Sequence, residues 1–124
     1  MKFEFDSEGY PTEKTLRLVR HYSGSALEFF CALKTGWKHG ESGVRENLNA
    51  RDLCGHRIVR FQLHTWGWSG NEELINAMER NLMLQMLTWE QSRRGGHYVY
   101  EFKRDLVIPA LAKRKRKSSL TAPR

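Results

Sequence analysis

A chain of 124 residues, 40% of them hydrophobic, can bury a single-domain core without disulfides, and its 28% charged residues are ordinary for a globular protein. The net charge of +7 sits at one end: Lys113, Arg114, Lys115, Arg116, Lys117 and Arg124 carry six of those charges, no acid lies among residues 113–124, and the body is left at +1. No run reaches the roughly 18 apolar residues of a membrane span, and the acidic start (Glu4, Asp6, Glu8) lacks the pattern of a signal peptide, so a cytosolic protein without membrane contact is expected.

Phe3 and Phe5 alternate with Lys2 and Glu4, which predicts a short strand over Met1–Phe5, and Gly9-Tyr10-Pro11 turns the chain. Thr12 is placed to cap a helix from Glu13 to His21. Ser25 with Glu28 forms a capping box for a second helix, Ala26 to Lys34, whose apolar face holds Leu27, Phe30 and Cys31. Cys31 is therefore expected to be a buried thiol, and neither it nor Cys54 has metal-ligand spacing. Gly36 ends that helix, with Trp37 beyond it as a packing anchor. Residues 38–55 give mixed signals and are expected to be a loop with a short strand or helical turn.

From His56 to Thr65, Val59, Phe61 and Leu63 alternate with Arg60, Gln62 and His64, which predicts a half-buried strand. Ser69 and Glu72 offer a capping box for one long helix, about Asn71 to Gln91, with Ile75, Met78, Leu82, Met86 and Trp89 on its core face. Leu84 and Leu87 project opposite that row and are the expected partner or homodimer face. Tyr98, Tyr100 and Phe102 alternate through a last strand, His97 to Lys103. The expected fold is α+β: about three strands in a small mixed sheet, packed with two N-terminal helices and one long helix crossing between the last two strands. Residues 1–112 form the domain and 113–124 a disordered basic tail.

Two clusters flank the predicted long helix. In Trp66-Gly67-Trp68-Ser69-Gly70-Asn71, the helix start favours an anion and the tryptophans could stack on a base, although a well-made cap explains the same residues. In Arg93-Arg94-Gly95-Gly96-His97, the arginines suit a phosphate or carboxylate, although basic residues and glycines also end helices. A straight helix of about 20 residues spans about 30 Å and would hold the two clusters apart. Trp66, Trp68, Asn71, Arg93, Arg94 and His97 are the expected recognition residues, either across a broad face or in a pocket completed by a dimer. His64, His97 and Glu72 could act as acid–base groups, but no spacing brings them together, and no phosphate-binding GxxxxGK[ST] loop or HExxH zinc motif is present.

The pair GWSGNEELI (Gly67–Ile75) and SRRGGHYVYEF (Ser92–Phe102), with Trp89 between them, resembles small proteins of tailed bacteriophages and prophages. The resemblance implies a phage-encoded accessory protein acting in the bacterial host cytosol, in host takeover or counter-defence, and it implies no reaction. The reading is a non-catalytic protein, without cofactor or metal, that binds a host protein or a nucleotide-like ligand. The alternative is a nucleic-acid-binding protein that uses the tail residues Lys113, Arg114, Lys115, Arg116 and Lys117 with the Trp and Arg clusters. A small nuclease or phosphoesterase is a third reading.

Overall fold

The computed structural model describes residues 2–38 and 43–110, so Lys113 to Lys117 lie outside the described residues. In chain order the elements are α1 (Glu13–Arg20), β1 (Gly24–Ser25), α2 (Ala26–Gly36), β2 (Val44–Arg51), β3 (Arg57–His64), α3 (Ser69–Glu79), α4 (Leu82–Thr88), β4 (Trp89–Arg93), β5 (His97–Phe102) and β6 (Val107–Ile108). The α+β class holds. Among the described residues there are four helices, an antiparallel sheet of order β2-β3-β5-β4, and a two-stranded antiparallel pair of β1 with β6.

The first two helices start at their caps. Thr12 Oγ1 accepts the Thr15 N–H and Ser25 Oγ accepts the Glu28 N–H, both at 3.2 Å. Helix α2 buries Ala26, Phe29, Phe30 and Leu33, and the Phe30 ring centroid lies 5.2 Å from those of Phe61 and Tyr100 and 5.3 Å from that of Phe102. Each side chain of this kind contributes about 1.5–3 kcal/mol on leaving water. Cys31 falls off that stripe and is exposed, against expectation. The strand expected over Met1–Phe5 reduces to one bridge between Phe5 and Pro11, because the turn at Asp6–Gly9 folds the chain back at once. Within the expected 38–55 loop, Val44–Arg51 is a full edge strand.

The long helix is two helices and a strand. Helix α3 stops at Glu79, and Asn81 leaves helical geometry at φ −93°, ψ 96°. Its Oδ1 accepts the Leu84 N–H at 3.1 Å to start α4, while Nδ2 donates to the carbonyls of Val19 at 2.9 Å and Tyr22 at 3.2 Å. This break changes the helical phase. Ile75 and Met78 stay in the core, but Leu82, Met86 and Trp89 become exposed and Leu84 is fully buried. Leu84 therefore cannot serve the partner face assigned to it with Leu87, which is 40% exposed. Met86→Gln is expected to change unfolding free energy by no more than about 0.5 kcal/mol in urea melts, since Met86 faces solvent. A loss above about 2 kcal/mol would return Met86 to the core.

From Trp89 the chain runs as β4 and turns at Arg94–Gly96 into β5. The β3 and β5 strands are direct neighbours but antiparallel, not parallel, because β4 reverses the direction before β5 begins. Phe61, Leu63, Tyr100 and Phe102 face the helices. Arg60, Gln62, His64, His97 and Glu101 alternate with them and lie on the opposite face, half-buried and without a helix over them among the described residues.

Candidate functional site

The sheet register brings the two sequence clusters together. His64 pairs with His97 across β3 and β5, and His97 pairs with Arg93 across β5 and β4. Past His64 the chain makes a tight turn, closed by the Trp68 N–H to the Thr65 carbonyl at 3.0 Å, with Trp66 at φ 57° and Gly67 at φ 70°. Two successive left-handed residues suit a primed turn, in which Asn or Gly ordinarily takes the first place. Here a tryptophan takes it, at a backbone cost of about 1–2 kcal/mol. The turn lays the Trp66 ring on the His64 imidazole, with centroids 4.4 Å apart, and leaves Trp66 52% exposed. His97 meets His64 edge-on at 5.7 Å.

Three contacts hold this corner in place. The Thr65 N–H donates to the Gly96 carbonyl at 2.9 Å, tying the Trp66 turn to the β4–β5 turn. Trp37, buried as expected, donates its Nε1–H to the His64 carbonyl at 2.9 Å. Gly43 lies beneath both indoles: a Cβ there would sit 3.0 Å from the Nε1 atoms of Trp37 and Trp66.

The charge at this corner is cationic. The His97 imidazole is held below its ordinary value by burial first, and then by the positive charge of His64, Arg93 and Arg45. Arg93 is exposed, and its Nε–H donates to Gln91 Oε1 at 3.1 Å. Nearby on the same face, Arg60 Nε donates to Glu101 Oε2 at 2.6 Å, so that pair is internally neutralised. A groove of about 450 Å³ runs over this face, where Arg51, Arg60 and Arg93 are matched by Asp52, Glu90 and Glu101, so the cationic character is confined to the end at Arg93 and His97. No protein-family model matches the chain, and no curated protein or solved structure matches it significantly.

Of the six expected recognition residues, Trp66, Arg93 and His97 meet at this corner. Arg94 is exposed in the adjoining turn. Trp68 is directed elsewhere, with its ring centroid 4.6 Å from that of Tyr10 and the Lys38 ammonium 4.8 Å above it. Asn71 is buried at 2% exposure: Oδ1 accepts the Lys38 N–H, and Nδ2 donates to the carbonyls of Lys38 and Thr65. Both residues build the scaffold beneath Trp66. The expected capping box also fails, because Trp68 is the N-cap and Ser69 Oγ bonds the Tyr10 hydroxyl at 2.8 Å. His64 belongs in the site as a ring platform, and Arg45 as a cation. The outward phase of β3 exposed His64 as a candidate, but nothing local to the sequence pointed to Arg45.

The sign of the His97 shift sets a pH dependence. A folded-state pKa below the ordinary 6.5 costs stability as pH falls from that value toward the folded pKa, and costs none above it. A bound anion reverses the balance by favouring the protonated ring. Sulfate, which keeps its charge throughout, is therefore expected to bind more tightly at about pH 5.5 than at about pH 7.5, read from the shifts of the His97 and Arg93 amides in nuclear magnetic resonance titrations. Equal or weaker binding at the lower pH would remove His97 from the anion site.

Proposed function

We propose that the protein is a non-catalytic binding module that takes an anionic group of its partner at the His64–Trp66–Arg93–His97 corner of the open sheet face. The observation that supports this most is the convergence itself: an exposed tryptophan, kept in an unfavourable left-handed conformation, stacks on one histidine beside a second histidine and an arginine. Strained, exposed aromatic residues of this kind mark recognition surfaces more than scaffold. A non-catalytic role is favoured because the charged neighbours that shift His97 are all cations, and among the described residues no ion pair joins a carboxylate to its ring. On the phage resemblance, the partner is a component of the bacterial host and the role is takeover or counter-defence.

The test separates site from scaffold by substituting Trp66→Asn. Asparagine tolerates the left-handed turn, so stability is expected to hold or to rise by up to about 1 kcal/mol. Partner affinity is expected to fall by about 1–3 kcal/mol, and Arg93→Ala to do the same with little change in melting. The partner would be captured from host lysate with the wild-type chain and its affinity measured for each variant, with the distant Met86→Gln as control. Unchanged affinity in both site variants would place recognition elsewhere.

A second reading, single-stranded nucleic acid, is favoured by the same Trp66–His64 stack beside Arg45 and Arg93 on an antiparallel sheet. It requires a steep loss of oligonucleotide affinity with salt, and quenching of Trp66 fluorescence on binding.

A further inference from the structure

We propose that the β2–β3 loop is a binding site for a divalent cation of borderline softness, of the zinc class, with Asp52, Cys54 and His56 as its ligands. The proposal is independent of the anion corner. Cys54 lacks the paired-cysteine spacing of familiar metal sites and by spacing alone is expected to bind none, but in the five residues Asp52-Leu53-Cys54-Gly55-His56 that join β2 to β3 it is one of three alternate residues with metal-ligating groups. Their donor atoms, one each from the carboxylate, thiol and imidazole, all lie within 4.8 Å of one another.

The backbone organises this triad. Asp52 Oδ1 accepts the N–H groups of Cys54 at 2.9 Å and His56 at 2.8 Å, and the Asp52 N–H donates to the His56 carbonyl at 3.0 Å. Gly55, at φ 83°, completes the reversal. With Oδ1 engaged, Oδ2 points to His56 Nδ1 at 3.5 Å.

A turn of this type accounts for Asp52, but it uses Cys54 only through its N–H, which almost any residue would supply. The thiol at the third apex is what the turn leaves unexplained. Sulfur, nitrogen and oxygen donors together match zinc and its neighbours, whereas calcium and magnesium require oxygen ligands in larger number. Donors at zinc bond lengths of about 2.0–2.3 Å stand about 3.3–3.8 Å apart, so the side chains must close by about 1 Å. Cys54 and His56 are exposed, so the thiol and the imidazole can turn through solvent while Asp52 stays tied to the turn. Three protein ligands leave a fourth position for water or a partner's group. Of the three ligands only Asp52 lines the groove over the open sheet face.

Cobalt(II) alone is the probe, added to the full chain carrying Cys31→Ser under a non-thiol reductant. A near-ultraviolet thiolate-to-cobalt charge-transfer band with visible bands of four-coordinate cobalt is expected, discharged by zinc. Cys54→Ser should abolish the charge-transfer band without altering the thermal melt. His56→Ala, and Asp52→Asn (which keeps the turn's acceptor), should each weaken cobalt binding at least about tenfold. No band in the Cys31→Ser chain, a band that survives Cys54→Ser, or unchanged affinity in both other variants would overturn the site.

Discussion

Gly96→Ala is expected to lower the unfolding free energy by about 3 kcal/mol or more, and to abolish binding at the histidine corner. Gly96 sits at φ +78°, where any other residue carries a backbone cost of about 1–2 kcal/mol. The added Cβ would also collide with Thr65 Oγ1. Thr65 is 1% exposed, its N–H is bonded to Gly96, and its carbonyl accepts from Trp68 and Asn71, so it cannot move aside cheaply. Gly95→Ala is the control: Gly95 has a similar φ of +85° with nothing within 4 Å, so only the backbone cost of about 1–2 kcal/mol should appear. Combining Gly96→Ala with Thr65→Ala should recover part of the loss. Urea melts that place the Gly95 and Gly96 variants within about 0.5 kcal/mol of each other would show that the collision is relieved elsewhere.

The second large effect is expected at Asn81. Asn81→Ala removes the α4 cap, worth about 1 kcal/mol, and leaves the Val19 and Tyr22 carbonyls without their donor, for about 3 kcal/mol in all. Asn81→Asp keeps the acceptor for Leu84 but cannot donate, and it sets a carboxylate against two carbonyls. It should be at least as damaging. Denaturant midpoints measured with an unchanged m-value would test both. An alanine variant within about 0.5 kcal/mol of wild type would mean that packing alone breaks the helix.

Those two residues also mark where sequence reasoning stops. The caps Thr12 and Ser25, the strand phases of Phe61 and Tyr100, and the anchor Trp37 were legible because each signal is local. The break at Asn81 was not. Arg80-Asn81-Leu82 contains neither glycine nor proline, and Asn81 acts through carbonyls some sixty residues earlier in the chain. Missing it carried Trp89–Arg93 into a helix and hid β4. With β4 hidden, β3 and β5 read as parallel, and the Trp66 and Arg93 clusters were placed a helix length apart. Trp66, Arg93 and His97 stood out because they are costly residue types for plain turns, and the sheet register brings these three together. Trp68 and Asn71 shared that signal, but their side chains are engaged below the surface.

The pairing of β3 with β5 bears on the order of events during folding. β2–β3 and β4–β5 are local hairpins, each closed over a few residues. The joint between them closes a loop of more than thirty residues, and such non-local contacts carry the largest entropic barrier. The proposed recognition corner straddles that joint: His64 comes from one hairpin, and Arg93 and His97 come from the other. On the proposed function, binding competence would depend on the joint whose closure is entropically the most costly. A transient parting of the two hairpins would silence the protein while most of its secondary structure persisted.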